Sequence, residues 1–259
     1  MVRWWRDVIA PREHGAWGFW FEPVLAGLIA AWSPAGAALG GMGLALVLAR
    51  RPVALGWGRR RDPAGRFAAV VLIAVAAGAG AYAIAAAASP VGVAAALVSL
   101  AVMVATQQIA EHRATGRSLT AQLTAALAMA ALGPAIVMAG VGLPEAALAV
   151  GLLIAGRQAA SLTWVRHRLR RSRGDAGEPA ALLIAHLALL MALGATLVRG
   201  GSGFIAIAAV FVIVIRTVIG LQVATRPVRP RTLGLIELTL GVAYALAIGY
   251  DAEWRMNIG

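Results

Sequence analysis

Nine polar or charged side chains sit inside otherwise apolar runs: Glu22, Gln107, Gln108, Arg157, Gln158, His186, Arg216, Gln222 and Glu237. Two carboxylates, two guanidiniums, an imidazole and four amides are the means to hold charge or pass protons where water is scarce. An ionised group near the centre of a bilayer costs on the order of 2.5 to 3.5 kcal/mol on insertion scales, so each one needs a partner or a purpose. The glutamates and arginines can offset one another as buried pairs, or they can line a solvated cavity that takes a ligand. The sequence leaves both readings open. Gln107 or Gln108 stacks over Glu111 at helical spacings of four and three, with Arg113 and Arg117 following. Glu237, Gly241 and Tyr244 share a face at the same spacings, and the small Gly241 opens room beside Glu237.

The elements that must position these groups are membrane helices. Hydrophobic residues make up 61% of the chain and charged ones 13%, with a mean hydropathy of +0.81, outside the range of soluble globular chains. The apolar blocks run about 16 to 24 residues, the length a helix needs to cross roughly 30 Å of hydrocarbon, and they lack the alternation of barrel strands. Nine spans are predicted, near 15–33, 34–49, 67–88, 91–110, 119–140, 144–165, 180–199, 203–225 and 233–250, forming one transmembrane helical domain over 1–259. Breaks such as "WSPAG", "ASPVG", "GVGLPE" and "TRPVRPR" carry the Pro, Gly or charge that ends a helix. No short apolar region ends in a small-residue cleavage site, so the first helix is expected to stay as an anchor.

Every cationic side chain among the 23 is an arginine, and all but Arg157, Arg199, Arg216 and Arg255 fall in the amino-terminal segment and the even-numbered loops. The positive-inside rule then puts the amino terminus in the cytoplasm and the carboxy terminus outside. On that topology Glu22, His186 and Glu237 lie roughly 10 Å in from the cytoplasmic end, and Arg157 and Arg216 roughly 14 Å. All nine polar groups then fall in the cytoplasmic half or near the midplane, which predicts a polar cavity open to the cytoplasm. Trp4, Trp5, Trp17, Trp20, Trp32, Trp57, Trp164 and Trp254 mostly fall near span ends, as interfacial anchors do. The net charge of +12 is not a nucleic-acid signature, because no loop is long enough to fold into a recognition module. Anionic lipid headgroups are the expected partners of the basic loops.

The stretches "PREHGAWGFWFEPVLAG", "ARRPVAL", "GRSLTAQLTAALAMAALGP", "WVRHRLRR" and "PRTLGLIELTLGVAYAL" together resemble the YwiC-like family of bacterial membrane proteins. Nine helices with an inside amino terminus are also similar, more distantly, to the UbiA superfamily of intramembrane prenyltransferases. That resemblance implies two aspartate-rich motifs, at the ends of the second and sixth spans, holding Mg²⁺ against a prenyl diphosphate. Here the two positions read "LARRPVALGWGRRRDPAGR" and "WVRHRLRRSRGDAGEP", with Asp62, Asp175 and Glu178 isolated. Hard cations need clustered oxygen ligands, so neither Mg²⁺ nor another cofactor is expected.

Arginine forks hold phosphate without a metal, and Arg12, His14, Arg51, Arg59, Arg60, Arg113, Arg117, Arg166 and Arg168 are the candidate headgroup ligands. "PREHGAW" would put Arg12, Glu13 and His14 at the rim of the cavity, with Glu22 about two turns deeper. Three functions fit these residues: binding or transfer of an isoprenoid or phospholipid, transport of a polar solute, or a structural role in a larger membrane complex.

Overall fold

Proline opens most of the helices. Pro34, Pro63, Pro90, Pro144, Pro179 and Pro230 each stand at the first position of a helix, where the missing N–H has no intrahelical partner to lose. Ser33, Asp62, Ser89 and Ser118 accept backbone N–H groups at the starts of four helices. A computed structural model of the chain describes residues 15–57, 62–113, 118–222 and 228–258. They form α1 (Gly15–Ala30), α2 (Pro34–Trp57), α3 (Pro63–Ala86), α4 (Pro90–Arg113), α5 (Leu119–Ala130), α6 (Leu132–Gly140), α7 (Pro144–Arg171), α8 (Pro179–Val198), α9 (Phe204–Gln222) and α10 (Pro230–Ile258).

Each of the nine expected spans has its helix, and among the described residues there is no strand. Seven are long and apolar enough to cross a membrane, counting α5 with α6 as one; α1 and the apolar part of α4 are shorter. The α5–α6 break falls at Ala131, four residues after Leu127 and three before Pro134, whose ring cannot donate to the Ala130 carbonyl. Several helices outrun their expected ends. α2 continues through Arg50, Arg51 and Pro52 to Trp57, and the Arg66 Nε donates to the Gly56 carbonyl at 2.8 Å, tying the end of α2 to the start of α3. α7 extends to Arg171, and α10 to Ile258.

α1 lies at the centre, against α2, α5, α6, α7 and α10. One buried cluster joins it to α7, α8, α9 and α10 through Ala26, Val150, Ile154, Leu189, Val210 and Ile248. A second joins it to α2, α3, α4 and α6 through Val24, Leu39, Ala76, Val93, Leu132 and Ile136. Many of the buried residues are alanines, so backbones approach closely and packing rather than bulk holds the helices together. The outer faces of α3, α8 and α9 expose Val, Ile, Leu and Phe, as surfaces solvated by lipid do.

Candidate functional site

Where α1 and α10 begin and α7 ends, a cavity of about 170 Å³ opens between the three helices. Its walls are Gly18, Phe19, Leu162, Val165, Gly234 and Leu238, and its inner end is made by Glu22, Arg157, Ser161 and Glu237. The inner groups lie one to two turns deeper along each helix than Gly18, Val165 and Gly234.

These inner groups form one continuous chain of charge. The Arg157 Nη1 donates to Glu22 Oε1, and its Nη2 donates to the backbone carbonyl of Glu237 at 2.8 Å while lying 3.8 Å from Glu237 Oε2. Glu237 Oε2 also accepts from Arg216 Nη2 at 2.9 Å and from Ser161 Oγ at 2.5 Å. Arg216 in turn lies over the Trp164 ring, 5.3 Å from its centroid. Glu22 and Arg157 are each 2% exposed and Glu237 7%. Two carboxylates and two guanidiniums make the chain electrically neutral, the condition under which buried ions are tolerated. Pairing and cavity lining, alternatives on sequence, coexist in Glu22, Arg157 and Glu237, whereas Arg216 pairs without lining the cavity.

Gly241 explains how Glu22 fits. A β-carbon there would overlap Glu22 Oε1 and come within 2.9 Å of Arg157 Nη2, so the carboxylate occupies the space a side chain would take. The room that Gly241 opens is therefore filled from α1. Tyr244, one turn further, donates to the Leu153 carbonyl at 3.1 Å and ties α10 to α7.

Gln158 is buried but has a backbone task. Pro23 lies inside α1 and cannot donate to the Phe19 carbonyl four residues earlier, and Gln158 Nε2 supplies the missing donor at 3.0 Å. His186 bridges α8 and α9: its Nδ1 donates to the Leu182 carbonyl at 2.8 Å, and its Nε2 accepts from Thr217 Oγ1 at 2.8 Å. Neither residue lines the cavity. Gln222 is exposed at the end of α9. Gln107, Gln108, Glu111 and Arg113 fall on the helical backbone of α4, and their side chains lie outside the described residues, as do Arg12, Glu13, His14, Arg59, Arg60 and Arg117 altogether.

Among the expected phosphate ligands, Arg51 is half-buried near the end of α2. Arg168 is buried on the face of α7 that carries Arg157, Ser161 and Trp164. Arg166 is taken up by Glu178, its Nε and Nη2 donating to the two carboxylate oxygens at 3.1 and 3.0 Å, and its Nη1 donates to Gln122 Oε1 at 3.0 Å. Arg170 adds a third bond to Glu178 at 2.7 Å. These bonds, Arg166's foremost, hold the Glu178 carboxyl below the usual carboxylate range despite partial burial. The Glu178 backbone N–H donates to His167 Nδ1 at 3.1 Å. Gly177, at φ +76°, lies where a side chain would press on the His167 ring. Asp62 is occupied as the cap of α3, and Asp175 lies 4.0 Å from Arg170. Among the described residues, no three His, Asp or Glu side chains cluster as metal ligands.

Residues 10–137 match the family described as YwiC-like protein. This stretch belongs to the YwiC-like family. It runs from before α1 into α6, so it supplies Glu22, whereas Arg157, Ser161, Arg216 and Glu237 come from helices after it. "WVRHRLRR" and "PRTLGLIELTLGVAYAL" also lie beyond the matched residues. No curated protein and no solved structure matches the chain at significant similarity.

Sequence reasoning missed Ser161, Trp164 and Asp251. Ser161 stands four residues after Arg157 on the same helical face, a spacing that makes it a neighbour of whatever Arg157 holds. Trp164 is not an interfacial anchor: it is 3% exposed, packed against Gly220 and under Arg216. Asp251 fell outside the expected ninth span, yet the longer α10 carries it inside the bundle. There it accepts the backbone N–H groups of Gly203 and Ala206 at 2.7 and 3.3 Å and caps α9. Buried polar groups are thus not confined to one end of the molecule.

Proposed function

We propose that this protein binds a membrane lipid by its polar group in the cavity among α1, α7 and α10, from the cytoplasmic side of a bacterial inner membrane. One observation carries the reading: apolar walls lead to an inner end built from a neutral chain of buried charges. An amphiphile matches that division, its polar end meeting the charged groups and its apolar part lying beyond the mouth that Phe19, Leu162, Val165 and Leu238 line. The arginine distribution supports the cytoplasmic orientation, since the cavity lies at the end of the bundle next to the arginine-rich segments. Arginine in place of clustered carboxylates supports metal-free binding, in the manner of a UbiA-like transferase that has lost its Mg²⁺ motifs.

Gly234 supplies the test. A β-carbon there meets nothing within 4 Å, and the residue lines the cavity. Gly234→Leu should therefore fold at least as well as the native chain, given the better helix propensity of leucine, while filling the cavity. Native mass spectrometry of the detergent-purified protein should show retained lipid in the native chain and loss of it in the variant at an unchanged unfolding temperature. Equal retention by both rejects the cavity as the lipid site.

A second reading, transport of a polar solute, is favoured by the four charges placed within apolar helices. It predicts uptake by proteoliposomes that Glu237→Gln abolishes, from a protein that purifies without lipid.

A further inference from the structure

The inner end of the cavity is buried but not fully hydrogen-bonded. Glu22 Oε2, Glu237 Oε1 and Arg157 Nε find no hydrogen-bond partner among the described residues, although all three residues line the cavity and are more than nine-tenths buried. Buried polar atoms left without partners are costly, and three of them belong to residues that line one cavity, two acceptors and one donor that a ligand reaching the inner end would have to match.

Resting on the lipid-binding reading, we propose that the group seated there is a hydroxyl-bearing headgroup, a glycerol or other polyol, rather than a phosphate or an amine. A phosphodiester has no proton to donate, and a phosphomonoester brings at least one negative charge, so either would set its oxygens against two carboxylate oxygens of like charge. An ammonium donates to carboxylates but cannot accept from Arg157 Nε, and it adds an uncompensated charge to a chain that is already neutral. A hydroxyl is neutral, donates once and accepts. Two hydroxyls supply a donor to each glutamate and an acceptor to Arg157 Nε, which a two-hydroxyl glycerol headgroup provides. The volume of about 170 Å³ is ample for such a group and too small for a whole lipid, so the acyl chains stay outside.

The test compares phosphatidylglycerol, phosphatidic acid and phosphatidylethanolamine of identical acyl chains, and free glycerol, each added to the delipidated full-length protein in detergent. Retained lipid is read by native mass spectrometry and stabilisation by thermal unfolding. Hydrogen bonds to charged groups lead to an expected preference for phosphatidylglycerol of about tenfold over the other two lipids. In Glu237→Gln that preference should vanish while the weak retention of phosphatidic acid persists; where this variant fails to fold, Gly234→Leu should remove the same preference. Equal retention of phosphatidic acid and phosphatidylglycerol overturns the proposal in favour of phosphate recognition, and a preference for phosphatidylethanolamine overturns it in favour of an ammonium. Stabilisation by free glycerol equal to that by phosphatidylglycerol supports the hydroxyl chemistry and overturns the lipid as its source. Retention of no lipid at all rejects the lipid-binding reading itself, whereas retention without headgroup preference rejects this inference alone.

Discussion

Glu22 has one cationic neighbour and Glu237 has two, and this asymmetry ranks the substitutions. Arg157→Gln leaves Glu22 without a partner in a buried setting, where loss of one member of an ion pair costs about 3 to 5 kcal/mol. Arg216→Gln leaves Glu237 with Ser161 and Arg157, so its cost is smaller. The expected order of unfolding temperatures in detergent is native above Arg216→Gln above Arg157→Gln, and the double variant Glu22→Gln with Arg157→Gln should recover much of the loss. An Arg157→Gln protein as stable as the native one would mean that water solvates Glu22. The two glycines give a matched pair. Gly241→Ala should destabilise because its β-carbon overlaps the Glu22 carboxylate, whereas Gly234→Ala should be neutral or stabilising by up to about 1 kcal/mol. Glu22, Arg157 and Glu237 were legible as candidates because an ionised side chain in an apolar run is conspicuous. Ser161 was not, since a serine in a helix carries no such signal.

Between helices, the contact of α7 with α9 and the turn from α7 into α8 make separate predictions. A β-carbon at Gly220 would overlap the Trp164 ring, so Gly220→Val should push α9 away from α7 and loosen Arg216 from Glu237. Lower thermal stability with reduced lipid retention is expected. At the other junction, Glu178 has its carboxyl held low by Arg166 and Arg170, so its bonds add stability at pH values above the ordinary carboxylate value of 4.5. That contribution fades as the pH falls below 4.5 towards the lower value in the fold. The unfolding temperatures of the native chain and of Glu178→Gln should therefore differ near neutrality and converge in acid. A difference that persisted unchanged at low pH would assign the effect to something other than the Glu178 charge. Helix starts were legible in part: the expected spans begin at Pro34 and Pro144 as the helices do, but at 67 and 233 where the helices begin at Pro63 and Pro230, since proline at the first position is a local steric preference that reads equally as a break. Helix ends could not be read as well: α7 and α10 continue through arginine- or aspartate-bearing segments whose side chains are satisfied by other elements, and α2 continues through Gly56, whose carbonyl accepts from Arg66 of α3.

At the scale of the whole molecule, the arginine distribution predicts orientation. Reporter fusions after Gly65, Arg117, Arg173 and Arg229 should read cytoplasmic, and fusions after Pro34, Ser89, Gly142 and Gly201 external. Reversal at two or more sites would turn the cavity to the opposite face of the membrane. Metal independence is a second prediction at this scale. EDTA should leave lipid retention nearly unchanged, because arginine stands at the positions where the resembling enzymes carry aspartates. Retention abolished by EDTA and restored by Mg²⁺ would contradict the metal-free reading.

Apolar block length and proline placement were enough to place the helices, because the need to satisfy every backbone N–H and C=O in hydrocarbon leaves a long apolar run little alternative to a helix. Arginine counts predict an orientation, since that rule depends on which loops carry charge and not on how helices touch. Which charges meet is another matter. Glu22 and Arg157 are 135 residues apart, and Arg157 and Glu237 are 80 apart, distances over which no periodicity carries information. Only the packing of α1 against α7 and α10 brought them together, through the bare face of Gly241. The same packing left two carboxylate oxygens and one guanidinium nitrogen without partners beside a cavity.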